Sequence, residues 1–443
     1  MSKKIRIGMA GCGVVGGGVI ELLSRNAALI ERRLGTVPEV TRIAVRHPDR
    51  VRNLPGAARP ATFVSDPLAL VDDPDVDLVV EVMGGMEPAG TLLRRSLEAG
   101  KPVVTANKAL LAEQGTALLD LAEQRHTDLY FEAAVAGGIP IIRVLREGLA
   151  ADRVLRLRGI INGTSNYILS RMSREGMSFA EALSAAQAAG FAEADPTLDV
   201  EGGDAAHKLA ILASLAFGVH VDLTRIPTVG ITDISAGDHD IAQAFGYVIK
   251  HLARAAISDS GQLELSVEPM LVAKDSGLAS IHGAMNAIEL ESLGLGRSLL
   301  AGPGAGSLPT AMSVVSDVID ISRNLRAGAQ GRVPPRGHPL GTLKAASIAR
   351  RDETWARTYL RFEVEDRPGV LGFLATRLGD ESVSIERMVQ RRGAGDPDHR
   401  ASVVMLTHRS NLGAVARALR AIGERKDLVF SAKALSIESS DSP

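Results

Sequence analysis

Residues 5–23 read IRIGMAGCGVVGGGVIELL. A short apolar run is followed by a glycine-rich bend and then by helically spaced apolar residues, so the stretch predicts strand, turn and helix. Gly11, Cys12, Gly13, Val14, Val15 and Gly16 form a G-x-G-x-x-G string. Its place between a predicted strand and a predicted helix is the context in which that string binds a dinucleotide. Gly11 permits the tight turn, Gly13 lets the backbone approach a pyrophosphate, and Gly16 allows close helix–strand packing. Val14 and Val15 open a helix whose N-terminus favours an anion. The competing reading is a glycine-rich packing turn that holds no ligand.

The pattern extends outward from this stretch. EVTRIAVRH (39–47), VDLVVEVMGG (76–85) and PVVT (102–105) read as further strands, and AEQGTALLDLAEQRH (112–126) as a helix. Strands alternating with helices predict a doubly wound, mainly parallel sheet. The end of the second strand bears on cofactor choice. A site for NAD usually carries an acid there to grip the ribose hydroxyls, whereas this strand ends with Arg46 and His47. A cation suits a 2′-phosphate, so NADP is expected ahead of NAD, unless Arg46 is only a solvated strand end.

Composition narrows the class. The chain has 443 residues, a formal net charge of −2 and one cysteine, Cys12. A near-zero balance implies no polyanion, so nucleic acid is not expected as a partner. One cysteine excludes internal disulfides and a cysteine-based zinc site. The basic start MSKKIRIGMAGC resembles a leader with a cleavage site, but its apolar stretch is shorter than the roughly 7–15 residues such a leader needs. No run reaches the roughly 18 apolar residues of a membrane span, so a cytoplasmic protein is expected.

Beyond residue 135 the pattern changes. VLRLRGI (154–160) and GQLELSVEPMLVA (261–273) alternate as strands do, and SFAEALSAAQAAG (178–190) is a helix with a Ser178–Glu181 capping box and a stop at Gly190. An α+β domain is expected over 136–305, with a helix over 306–327 returning to the first domain (1–135). Residues 328–356 are rich in Gly and Pro and read as a linker. From 357 to 438 the order strand, helix, strand, strand, helix, strand predicts a ferredoxin-like module.

The stretch AEADPTLDVEGGDAAHK (192–208) gathers Glu193, Asp195, Asp199, Glu201 and Asp204 and ends in Lys208. Asp204 and Lys208 are four residues apart, on one face if the segment is helical. A lysine beside a carboxylate in a closed cleft can give a proton to a carbonyl or take one from a hydroxyl, and the other acids can hold a substrate ammonium. A solvated acidic loop with a surface ion pair is the plainer reading. Asp195, before Pro196, fits a turn as well as a ligand.

From Ala186 to Lys208 the chain reads A-x-x-x-G-F-A-x-x-D-P-x-x-D-V-x-G-x-D-x-x-x-K, which resembles the signature of homoserine dehydrogenases. VVTANK (103–108), FEAAVAGGIPII (131–142), GIINGTSNYIL (159–169) and GPGAGSLPTA (302–311) resemble the same family, in the same order. DRPGVL (366–371) resembles the opening of an ACT domain, a small amino-acid-sensing module. The resemblance implies a Rossmann-type sheet, a catalytic and dimerisation domain, and reversible NAD(P)H-dependent reduction of L-aspartate 4-semialdehyde to L-homoserine. It implies Lys208 as proton donor and acceptor. Glu193 and Asp204 would bind substrate, supported by Asp199, and Lys108 would lie near both substrate and nicotinamide. Gly84, Gly85, Met86, Gly190 and Gly306 would line the cofactor site. Glu132, Val135, Gly137 and Ile139 would supply oxygens to a monovalent cation, sodium by resemblance. Threonine is the implied effector of the ACT module, and edge-to-edge pairing of such modules implies a homo-oligomer, a dimer or tetramer. The alternatives are a related dehydrogenase with another substrate, and an amino-acid sensor whose dehydrogenase part is inactive. The second would predict loss of Lys208 or its acids, and all are present.

Overall fold

Six short strands, Arg6–Ala10, Glu39–Ala44, Thr62–Val64, Leu78–Glu81, Val103–Thr105 and Leu129–Tyr130, form a single all-parallel sheet in a computed structural model that describes residues 4–50, 54, 61–392 and 400–438. Numbered along the chain, their order across the sheet is 3-2-1-4-5-6, the dinucleotide-binding arrangement. The central strand Leu78–Glu81 is buried along its whole length and is apolar except for Glu81, as a strand covered on both faces should be. Ile7, Met9, Leu78, Val80 and Val104 pack with Val314 and Val318 of the helix Ser307–Ala327. That helix packs on the sheet. Ser307 Oγ donates to the Val14 carbonyl at 2.9 Å, and a Cβ on Gly18 would lie 2.7 Å from the Ser307 carbonyl oxygen.

The chain forms two compact units. The first comprises Met1–Gly163, Gly203–Ile226 and Ala284–Ala346; the second comprises Thr164–Gly202, Pro227–Gly283 and Ser347–Pro443. Besides the parallel sheet, the first unit holds the helix Gly203–Phe217 and an antiparallel trio, Val154–Ile160, Met285–Ser292 and Gly296–Pro303. The segment 136–305 expected as one domain is therefore shared between the two units.

In the second unit the C-terminal module has the expected element order, with its strands arranged as Val429–Ile437, Trp355–Glu365, Arg400–Thr407 and Ile385–Arg392. The helices Val370–Asp380 and Leu412–Gly423 cover it through Leu374, Leu378, Ala418 and Ile422. The basic insert after Gln390 falls largely at 393–399, outside the described residues. The module is not detached. Its edge strand Val429–Ile437 pairs in parallel with Leu263–Ala273, at Met270 with Ser436 and Leu271 with Ile437.

The 328–356 segment is likewise not a free linker. In the first unit Arg336 is buried against Asp120 and the Thr116 carbonyl, and Lys344–Ala345 pairs in parallel with Val219–His220. In the second unit Leu263 N–H donates to the Ser347 carbonyl at 2.8 Å, and Arg351 meets Glu268 at 2.6 Å. Glycine and proline made the stretch look flexible. Its arginines instead find carboxylates and its backbone finds strand edges, which satisfies groups that a solvated linker would leave to water.

Candidate active site

Helix Gly203–Phe217 puts Asp204 in its first turn, a favourable place for an anion, and Lys208 one turn later on the same face. Lys208 Nζ lies 2.7 Å from Asp204 Oδ2 and donates to the Ile161 carbonyl at 2.7 Å. Asp204 Oδ2 also accepts from Asn162 Nδ2 at 2.8 Å, and Oδ1 is 3.2 Å from Lys108 Nζ. One buried carboxylate thus joins three segments: the loop after strand Val154–Ile160, the start of helix Lys108–Gln124, and its own helix. Burial alone would raise the Asp204 carboxyl. Lys208 and Lys108, with the hydrogen bonds from Lys208 and Asn162, outweigh it and hold the group well below the usual carboxylate range. The ammonium of Lys208 has three N–H donors, and the two contacts above leave one to meet a substrate oxygen.

The glycine turn lies at the end of the first strand of the same unit. Gly11 has φ +101°, and a Cβ there would be 2.7 Å from the Val82 carbonyl oxygen. A Cβ on Gly16 would be 2.5 Å from the Gly11 carbonyl oxygen, whereas one on Gly13 would meet nothing within 4 Å. The first and third glycines are therefore required by the turn itself, and the second keeps an open approach to the backbone. Helix Val14–Arg25 starts with no side-chain cap and no acid in its first turn, so the N–H groups of Val14 and Val15 remain available to an anion. Helix Ser307–Ala327 also starts without a side-chain cap, after Gly306 at φ +127°. The residues present thus fit a dinucleotide pyrophosphate. Arg46 is exposed just beyond the end of strand Glu39–Ala44.

Next to the glycine turn, Glu81 ends its strand fully buried. Its Oε1 accepts from the N–H groups of Met83 and Gly84, both at 2.9 Å, and its Oε2 accepts from Thr105 Oγ1 at 2.6 Å. Asn107 donates to the Gly85 carbonyl at 2.6 Å and caps the helix that begins at Lys108. The loop Gly84–Met86 and the start of the helix that carries Lys108 are thus held by one network.

The second unit carries Gly190, Glu193, Asp195 and Asp199. Gly190 ends helix Phe179–Ala188 at φ +74°. Glu193 is exposed, and its carbonyl accepts from Gln187. Asp199 lies in the short helix Thr197–Val200, where Ser165 Oγ donates to its carbonyl at 3.0 Å. Asp195 accepts from both the N–H and the hydroxyl of Thr197, at 3.1 and 2.6 Å, which is the turn role expected of an Asp before Pro.

This arrangement has matching relatives. Family models described as homoserine dehydrogenase, its NAD binding domain and the ACT domain match residues 140–319, 11–132 and 358–424. A homoserine dehydrogenase of Neisseria gonorrhoeae is 43% identical over 421 residues, covering 95% of each chain. The chain belongs to the homoserine dehydrogenase family. A crystal structure of a homoserine dehydrogenase from Thiobacillus denitrificans superposes with a TM-score of 0.92 at 41% identity, covering 99% of each chain. A hyperthermophilic archaeal homoserine dehydrogenase in complex with NADPH superposes with a TM-score of 0.61 at 27% identity, covering 72% of this chain and 98% of that one. The chain is therefore an NAD(P)-dependent oxidoreductase that interconverts L-aspartate 4-semialdehyde and L-homoserine. It carries a C-terminal ACT domain. None of its described helices is long and apolar enough to cross a membrane.

Within this homoserine dehydrogenase the expected cation loop is sharply bent, with Ala136 at φ 55° and Gly137 at φ 51°. Both carboxylate oxygens of Glu132 are engaged, accepting from the N–H groups of Ile142 and Arg143 at 2.7 and 2.9 Å. The Gly137 carbonyl accepts from Ser313 Oγ at 2.6 Å. No cluster of three or more His, Cys, Asp or Glu that could hold a metal occurs among the described residues. Backbone carbonyls in the loop keep a second lone pair for a cation, as does each Glu132 carboxylate oxygen.

The roles of Asn162, Glu81, Thr105 and Asn107 emerge only from the structure. Glu81 did carry a signal, as the one acid in an otherwise apolar strand. Asn162 was visible only as part of a family motif.

Proposed function

We propose that Lys208 is the general acid and base of the homoserine dehydrogenase reaction. The observation that carries this reading is its clamp between the Ile161 carbonyl and Asp204, which leaves one N–H to point at the reacting oxygen. A bound nicotinamide supplies or accepts the hydride. In the reductive direction Lys208 gives its proton to the oxygen of the aldehyde as that oxygen gains charge; in the oxidative direction it takes the hydroxyl proton. Asp204 orients Lys208 and Lys108, and Lys108 stabilises charge on the same oxygen. Glu193 and Asp204 bind the substrate and its ammonium, supported by Asp199. Gly11, Gly13, Val14, Val15 and Gly16 hold the pyrophosphate, with Gly84, Gly85, Met86, Gly190 and Gly306 lining the rest of the cofactor site. The carbonyls of Glu132, Val135, Gly137 and Ile139 hold a sodium ion. The enzyme works in the cytoplasm as a homo-oligomer.

The proposed cofactor is NADP, read by Arg46. The exposed cation at the strand end and the absence of a carboxylate there support this. Arg46→Asp is expected to weaken NADP binding through charge repulsion and shift preference towards NAD. The check is kcat/KM of homoserine oxidation with each cofactor. An unchanged ratio would show that Arg46 does not read the phosphate.

The proposed effector of the ACT domain is threonine, acting as an inhibitor. Gly369, at φ +91°, precedes helix Val370–Asp380, whose start has no side-chain cap, so free N–H groups are available to an amino-acid carboxylate. Threonine is expected to inhibit the full chain, and Gly369→Val to relieve that inhibition with activity retained. Deleting the module is a poor test, because it strips strand Val429–Ile437 from Leu263–Ala273. Absence of inhibition by threonine in the full chain would leave the module an assembly element.

A further inference from the structure

In the second unit, one carboxylate joins the ACT module to the start of helix Ala236–Ala244. Asp238 is fully buried in the first turn of helix Ala236–Ala244. One oxygen takes the N–H and hydroxyl of its own N-cap, Ser235, at 2.9 and 2.8 Å, closing a capping box. The remaining partners come from the ACT strands. Lys433 Nζ is 2.9 Å from Oδ2, Arg361 is 2.7 Å from Oδ1, and Tyr359 donates its hydroxyl at 3.4 Å. Lys433 also donates to the Asp233 carbonyl, and Arg361 to Ser235 Oγ at 2.9 Å. The ACT sheet therefore grips Asp233, Ser235 and Asp238 together.

The segment just before these residues lies directly on the acidic loop. Ile231 N–H donates to the Val200 carbonyl at 2.9 Å, and Thr232 Oγ1 donates to Glu201 at 3.4 Å. A Cβ on Gly230 would stand 2.6 Å from the Val200 carbonyl oxygen, so only glycine allows this approach. Val200 ends the short helix Thr197–Val200 that holds Asp199. Six residues, 230–235, are thus held at one end by the ACT strands and at the other by the acidic loop.

We infer that Asp238 is a positioning residue for substrate binding: through residues 230–235 it fixes the helix carrying Asp199, and the ACT strands set its geometry through Lys433 and Arg361. A buried ion cluster is a poor way to gain stability, since apolar side chains of similar volume would serve as well or better. It is a good way to fix one register between two elements, because each charge is satisfied in only one geometry. The inference rests on the reading of Asp199 as a substrate residue. It also gives the ACT module a physical route to substrate affinity, since any ligand that shifts its strands pulls on the same carboxylate.

The test uses the full chain with Lys433→Met, Lys433→Arg, Asp238→Asn and Asp199→Asn. For each, kcat, the KM for homoserine, the KM for the nicotinamide cofactor and the melting temperature are measured. Lys433→Met and Asp238→Asn are expected to raise the homoserine KM by about 2–30-fold, the range of mutations that alter coupling without touching ligand. The cofactor KM should stay constant, and Lys433→Arg should keep the native homoserine KM. A variant that is merely less stable would show lower apparent kcat and an unchanged KM, and that result overturns the inference. Should Asp238→Asn fail to fold, Lys433→Met, a partly exposed edge-strand change, decides alone. Asp199→Asn separates the two readings. If it moves the homoserine KM and Lys433→Met does not, positioning by Asp238 is wrong and the substrate reading stands. If Lys433→Met moves KM and Asp199→Asn does not, positioning stands and acts through another residue of the loop. If neither moves it, both readings fall.

Discussion

Lys208→Ala is expected to lower turnover by about 10²–10⁴-fold, the usual contribution of a positioned general acid or base. Two of the three N–H donors of Lys208 are already assigned, one to the Ile161 carbonyl and one to Asp204. In the proposed mechanism the third donor is the proton source. Lys108 meets the opposite oxygen of Asp204, at 3.2 Å, and approaches from another helix. Lys208→Arg should fare little better, because a guanidinium does not give up its proton at neutral pH and its planar fork cannot reproduce the two contacts. The cofactor KM should be unaffected, since the hydrogen-bond partners of Lys208, the Ile161 carbonyl and Asp204, lie outside Gly11–Gly16. Steady-state kinetics in both directions provide the check. Near-normal kcat in Lys208→Ala would remove the lysine from the mechanism.

What could be read in the sequence was what depends on local spacing. The strand–turn–helix at Ile5–Leu23 and the Asp204–Lys208 pair each follow from positions a few residues apart. The Ser178–Glu181 capping box formed as expected. Long-range partners were not legible in the same way. Nothing in the spacing of Asn162 or Lys108 shows that both converge on Asp204. Nor does anything in LVVE show that Glu81 holds Met83, Gly84 and Thr105. Composition was misleading for the 328–356 segment, because Gly and Pro content reports turn capacity and says nothing of Arg336 reaching Asp120. The ACT module could be counted strand by strand. Its pairing with Leu263–Ala273 could not, since one edge strand offers the same unpaired N–H and C=O groups to any partner.

Asp204→Asn is expected to cost both turnover and stability. The Asp204 side chain is 6% exposed and pairs with both Lys208, at 11%, and Lys108, at 35%. Asn keeps the shape but removes the charge, leaving two ammonium groups around a neutral amide. Its NH₂ would also face the donors of Asn162 or of one lysine, so at least one contact becomes donor against donor. Breaking a buried ion pair by removing one partner costs about 3–5 kcal/mol, and the partial exposure of Lys108 argues for the lower end. If that strain is relieved by Lys208 swinging away, the loss appears as a drop in kcat of about a hundredfold, since each 1.4 kcal/mol is tenfold. The pH dependence has a definite sign. The Asp204 carboxyl is held below its ordinary value, so its contribution is complete above the unfolded carboxylate range and is lost only as pH falls through the lower, folded value. The stability gap between the native chain and Asp204→Asn should therefore be equal at about pH 5 and pH 8, both above that range. Chemical denaturation at the two pH values, alongside kcat, measures it. A gap that opens only at the higher pH would assign the effect to a different group, and a variant with native kcat would show that Asp204 orients neither lysine.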